Sequence, residues 1–212
     1  MNCITNYNEL PVGRYLDICD LIRDDAADQV DKQAGILSIL SGIPVSEVLA
    51  LSIGEYTALA AVSKFLEEPV PPVKAVTKAV KLGDLELVPL KDIAKMTAAQ
   101  YIDFQTLNTG KDTDIVPLLS CLLVPKGHAY CDGYDIADVQ AVIRDLMPTP
   151  LAVGLLAFFF KKLRSSILTT ATSLGIAAKM MRRKDPRRMT IEKMMRAARS
   201  SSGYGAGSAA SI

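Results

Sequence analysis

Two adjacent prolines at the end of the stretch EEPVPP (Glu67–Pro72) constrain this chain more than any other feature. Proline lacks a backbone N–H and its ring collides with the preceding turn, so no helix runs through Pro71 and Pro72. Helix-patterned sequence lies before this break and strand-patterned sequence after it. Val73–Leu90 alternates in part, as VKAVTKAV and then LELVPL, on either side of Gly83-Asp84. That pattern predicts a β-hairpin turning at the glycine. Two strands alone are marginal in water. The hairpin must therefore pack on the helices or join another chain's sheet.

The rest of the chain reads as helices. Leu10–Arg23 places Tyr15, Leu16, Ile18, Cys19 and Ile22 on one stripe, with Pro11 at an early helical position. Asp24, Asp25 and Asp28 mark a break, and a second helix runs to about Ser41 and stops at Gly42. Ser46 is expected to cap a short helix, SEVLALS, and Ile53–Glu67 forms the next. After the hairpin, Thr97 caps Ala98–Leu107. An apolar helix, IVPLLSCLLV, is ended by Pro125 and Gly127. Asp135 caps Ile136–Met147, and Pro148 and Pro150 bracket the start of LAVGLLAFFFKKL. The expected fold is mainly α: a helical body with one inserted β-hairpin and a C-terminal basic helical arm. Its parts are a first helical half (1–72), the hairpin (73–92), a second helical half (93–164), the arm (165–199) and a disordered tail (200–212).

The two halves echo one another. LPVGRYLDICDL (Leu10–Leu21) and MTAAQYIDFQTL (Met96–Leu107) align without gaps at Tyr15/Tyr101, Leu16/Ile102, Asp17/Asp103, Ile18/Phe104 and Leu21/Leu107. ILSIL and LLSCL, then VSEVL and IADVQ, follow in the same order, as a diverged duplication would place them.

Charge divides the chain more sharply than hydropathy does. Residues 1–160 carry twelve Lys/Arg against twenty-one Asp/Glu, and residues 161–212 carry twelve against two. An acidic body thus bears a basic segment that seeks an anionic partner or its own body. Five of the eight methionines fall in that segment. Asp185-Pro186 interrupts its helical pattern, and Thr190 restarts it. A flexible, polarisable Met stripe binds partners without tight shape demands. The expected partner-binding residues are Met180, Arg182, Arg183, Arg187, Arg188, Met194, Met195 and Arg196, with a helical protein as partner. Nucleic acid is the alternative, through phosphate neutralisation, although no aromatic residue interleaves with the basic ones for base stacking. A membrane is not expected. The stripe lacks Trp, Phe and Leu, and the apolar run Leu151–Phe160 is half the ~20 residues a span needs.

Chemistry-bearing residues are sparse. His128, the single histidine, shares its loop with Cys131, Asp132 and Asp135, and Cys121 lies nearby in sequence. A zinc site needs three or four well-placed ligands, and this spacing supplies no recognised set. Asp132, Asp135 and Asp138 do not follow calcium-loop spacing. Gly203, Gly205 and Gly207 follow no strand and open no helix, so they form no phosphate cradle. Asp17 and Asp103 read as polar-edge positions of helical stripes, each facing a cation or a helix N-terminus, rather than as paired catalytic carboxylates. No catalytic residue, metal or cofactor is assigned and no enzymatic activity is expected. Cys3, Cys19, Cys121 and Cys131 form no CxxC pair, and Met1–Glu9 has neither the basic start nor the apolar core of a signal peptide. Both point to a reducing, cytoplasmic setting.

The succession ILSILSG, SEVLAL, hairpin, KMTAAQYIDFQTL, LLSCLLVP, YDIADV and the terminal FFF helix resembles virion-assembly proteins of tailed bacteriophages of Bacteroidetes hosts, including crAss-like phages. Some of these are similar to tail assembly chaperones. The resemblance covers about Ile4–Leu163 and rests on helix and hydrophobic patterns. It implies a homo-oligomeric chaperone, working in the cytoplasm of the bacterial host, whose C-terminal segment contacts the helical tape-measure protein. It fits equally a structural virion component, a connector or internal capsid protein, whose basic arm contacts DNA.

Overall fold

The structure is a computed structural model and describes residues 3–73, 78–92, 95–109 and 115–163. The expected arm, with Met180, Arg182, Arg183, Arg187, Arg188, Met194, Met195 and Arg196, and the tail beyond it lie outside the described residues. Met1–Leu163 forms one compact unit. Its helices are α1 (Val12–Arg23), α2 (Gln29–Ser41), α3 (Val45–Leu49), α4 (Ile53–Val62, continued by a 3-10 turn at Ser63–Glu67), α5 (Ala98–Leu107), α6 (Ile115–Leu122), α7 (Ile136–Leu146) and α8 (149–163). The strands are β1 (Val80–Leu82), β2 (Leu85–Pro89) and β3 (Leu123–Pro125). The fold is mainly helical, with a small antiparallel sheet in the order β1-β2-β3.

Local chemistry sets most element ends. The Asp28 carboxylate accepts from the Asp31 N–H at 2.8 Å and opens α2. Gly42 closes it at φ 72°, a left-handed turn that glycine enters without a Cβ clash. Ser52 and Glu55 form a capping box at α4, a Ser-x-x-Glu signature that the sequence reading passed over. Thr97 accepts from the Gln100 N–H, and Asp135 from the Ala137 N–H. Three boundaries differ from expectation. Pro11 stands outside α1 in extended backbone as its N-cap. Pro44, not Ser46, precedes α3, and its carbonyl takes the Glu47 and Val48 N–H groups. The helix from Ile53 ends at Val62 and tightens into the 3-10 turn before the prolines.

The hairpin forms where expected but is shorter, and it is not alone. Leu82 pairs with Leu85 across Gly83-Asp84, with Gly83 at φ 58°. The stretch read as the end of an apolar helix, Leu123–Pro125, leaves α6 and pairs with β2 as a third strand. The residue before a proline avoids the helical region, so Val124 turns extended ahead of Pro125. The hairpin thus gains a third strand from its own chain.

Prolines sit in these ladders without loss. Lys126 N–H donates to the Glu86 carbonyl and Leu90 N–H to the Leu122 carbonyl. Both bonds flank pairs containing Pro125 or Pro89, where the ladder asks no N–H of the proline. The same holds for the isolated Pro11–Pro148 bridge. There Val12 N–H donates to the Met147 carbonyl at 2.8 Å and Thr149 N–H to the Leu10 carbonyl at 2.9 Å.

That bridge brings the start of the first helical half against the end of α7. Val12 and Leu16 of α1 share one core with β1, β2, α5, α6, α7 and α8, including Leu87, Phe104, Leu119, Leu122, Ile143 and Phe159. Each fully buried side chain of this size contributes about 1.5–3 kcal/mol. Two smaller clusters lie under α1–α2 (Tyr7, Leu10, Ile18, Leu40) and under α2–α3 (Ala34, Leu37, Ile43, Val48). Helix order repeats between the halves as the echo suggests, but burial does not. Leu16 is 4% exposed and its counterpart Ile102 is 61% exposed.

Among the described residues, no helix is long and apolar enough to cross a membrane.

Candidate functional site

The loop from Lys126 to Tyr134 is pinned to β2 through Glu86 and to α5 through Asp103. Gly127, Cys131 and Gly133 all take positive φ, at 88°, 57° and 74°, and Cys131 is the one non-glycine to do so among the described residues. Strain of this kind persists only where the surroundings over-determine it. Here the pins are visible. Lys126 pairs with Glu86 at 2.7 Å. Cys131 N–H donates to the Tyr134 hydroxyl at 3.2 Å, and Tyr130 O–H donates to the Asp103 carboxylate at 2.9 Å.

His128 is seated by the same loop. Its Nδ1 lies 3.0 Å from the Asp132 carbonyl, which only accepts, so Nδ1 carries the proton and Nε2 is left as the acceptor. The Tyr134 ring meets the imidazole edge-on at 5.9 Å. Gly133 leaves the room: a Cβ there would stand 3.0 Å from Nδ1.

Tyr130 ties the loop to α5 and α6. Its one phenolic proton goes to Asp103, so the Cys121 thiol, 3.5 Å away, is the donor between them. Gln100 is 3% exposed and donates its Nε2 to the Cys121 carbonyl. Burial, and then the hydrogen bonds to Cys121 and Asp103, push the Tyr130 phenol well above its ordinary range. Burial likewise raises the Cys121 thiol. Both groups are held protonated at neutral pH, which suits a structural lock and not a base or a nucleophile.

Between this loop, the ends of β2 and β3 and the start of α5 runs a groove of about 400 Å³. Val88, Leu90 and Val124 are among its apolar lining, and Lys91, Lys95, Thr97, Gln100, His128 and Tyr130 supply polar groups.

The residues singled out in the sequence separate here. Asp17 and Asp103 do not meet: Asp17 pairs with Arg144 of α7, and Asp103 takes a phenol where a cation or a helix N-terminus was expected. Cys121 belongs to the Tyr130 network, His128 is held instead by the Asp132 carbonyl and the Tyr134 ring, and Cys131 is exposed. Among the described residues, no group of three or more His, Cys, Asp or Glu side chains is placed to hold a metal ion. Lys91, Lys95 and Gln100 were not legible as a group with Tyr130, because Tyr130 lies thirty residues beyond Gln100 along the chain and no shared spacing links it to them.

Comparison with protein families, with curated proteins and with solved structures finds no match to this chain.

Proposed function

We propose that this is a non-enzymatic morphogenesis protein of a tailed bacteriophage, a tail assembly chaperone that holds a helical tape-measure protein in the host cytoplasm. The observation that carries the partner-binding part of this reading is α4. Its sequence, IGEYTALAAV, has a single charge, and a helix that apolar is ordinarily buried. Here it buries no residue outright. Ile53 is 87% exposed, and Leu49 and Val45 on neighbouring α3 are 51% and 40% exposed. Exposed apolar surface of this kind marks protein contact. The basic, Met-rich sequence of 165–199 supplies a second surface suited to a helical, acidic partner. The phage assignment itself rests on the resemblance over Ile4–Leu163.

The test is capture from infected host cells with the full chain as bait, alongside mass spectrometry of purified virions. The reading expects a long helical tail protein in the captured material, lost with Ile53→Glu, and no stoichiometric copies of the bait in virions. Stoichiometric copies in virions would sink the chaperone role. They would favour the virion component, whose twelve Lys/Arg against two Asp/Glu over 161–212 predict DNA binding that weakens steeply with salt.

A further inference from the structure

The groove beside the sheet has a lining of definable chemistry. Val88, Leu90 and Val124 line it with apolar surface, Lys91 and Lys95 bring two cations, and His128 adds an acceptor at Nε2. No acidic side chain lines it among the described residues. Lys162 of α8 donates to the Lys91 carbonyl at 2.8 Å and ties down the backbone beside the groove. Two nearby carboxylates are engaged elsewhere: Glu86 with Lys126 and Asp103 with Tyr130.

The outer edge of β3 does not offer a ladder to an added strand. Pro125 has no N–H to give, and its carbonyl already accepts from His128 N–H at 3.1 Å. A ligand must therefore be held by its side chains. The strained loop keeps His128 in one tautomer with Nε2 unclaimed by the Asp132 contact, which is preorganisation rather than packing.

We propose that this groove binds an acidic, apolar-flanked peptide segment of a partner protein. Its carboxylates meet Lys91 and Lys95, a backbone N–H or hydroxyl of the peptide donates to His128 Nε2, and its apolar side chains lie on Val88, Leu90 and Val124. This site is separate from the α3–α4 surface and does not depend on the partner assigned to it.

Because the chain has one histidine, the His128 Hε1 resonance of the full-length protein is a single, assignable reporter at the groove. The Lys91 and Lys95 substitutions below separate binding in the groove from capture by the basic C-terminal sequence. The probes are Ac-Val-Asp-Leu-Glu-Val-NH2, its Asn/Gln and Lys counterparts, inorganic phosphate and a short DNA duplex. The acidic peptide is expected to move the resonance saturably, the Lys peptide not at all, and the Asn/Gln peptide only at much higher concentration. Lys91→Ala with Lys95→Ala should weaken the acidic peptide about tenfold or more, as loss of charge-assisted contacts does. Absence of a saturable shift, or a shift indifferent to the two lysines, overturns the proposal. So does an equal response to phosphate alone or to DNA, which would make the groove a general anion site.

Discussion

Thr149 donates twice to the carbonyl oxygen of Leu10, through its backbone N–H at 2.9 Å and its hydroxyl at 2.8 Å, across 139 residues of chain. The contact is fully buried, with Leu10 and Thr149 both at 0% exposure. It closes the body by joining the lead-in to α1 to the first turn of α8.

Thr149→Val keeps the shape and the backbone bond but removes the hydroxyl donor. The Leu10 carbonyl stays satisfied by the N–H, so the loss is that of one buried hydrogen bond, about 1 kcal/mol. Urea denaturation should show the midpoint lowered with an unchanged slope. Thr149→Ala should cost more, because it also leaves a void.

The Tyr130 network predicts an alkaline limit. Burial raises the phenol in the folded state, so the folded chain keeps a proton that the unfolded chain releases near pH 10. Stability from this group is complete below that pH and falls as pH rises beyond it. Tyr7 and Tyr134 are raised in the same direction, also chiefly by burial. Tyr130→Phe should therefore flatten the decline above pH 10 without abolishing it, and at pH 7 should cost about 1 kcal/mol for the lost bond to Asp103. An unchanged alkaline slope in the variant would remove the phenol from this role.

The α4 capping box can be read separately from the core. Ser52→Ala should cost about 1 kcal/mol, seen as faster amide exchange confined to the first turn of α4. The Glu55 carboxyl is lowered by its hydrogen bonds to the Ser52 side chain and then the backbone. Its contribution is therefore present above the ordinary carboxylate range and lost as pH falls through the lowered value. Protection of that turn should drop as pH falls below the ordinary carboxylate range in the parent and show no such step in Glu55→Gln.

Helices and caps were legible because their signals are local. Asp28, Gly42, Thr97 and Asp135 act on residues within four positions, and the structure places them as read. Gly83-Asp84 likewise announced its own turn. What was not legible depends on partners distant in sequence. Leu123–Pro125 looks like the end of an apolar helix until β2 stands beside it. Asp103 looks like the partner of a cation or a helix N-terminus until the loop brings up Tyr130. Pro11 looks helical until Pro148 gives it an extended neighbour. The groove belongs to this second class: Lys91, Gln100, Val124 and His128 converge only once the sheet and α5 have packed.

Two glycines in helices make opposite predictions from one substitution. Alanine is favoured over glycine in a helix by about 1 kcal/mol, so propensity alone says that both Gly13→Ala in α1 and Gly54→Ala in α4 stabilise. At Gly54 a Cβ meets nothing within 4 Å, and the change should raise stability by about 0.5–1 kcal/mol. At Gly13 a Cβ would run into the Arg144 side chain and stand 2.7 Å from the Arg144 carbonyl oxygen. The side chain can swing aside, at the expense of its pairing with Asp17. The carbonyl belongs to the last turn of α7 and moves only with that helix. Overpacking of this kind costs about 1–3 kcal/mol, enough to cancel or exceed the propensity gain. Chemical denaturation of the two variants should thus shift midpoints in opposite directions, Gly54→Ala upward and Gly13→Ala downward. A stabilised Gly13→Ala would mean that α1 and α7 do not approach as closely as their packing here requires.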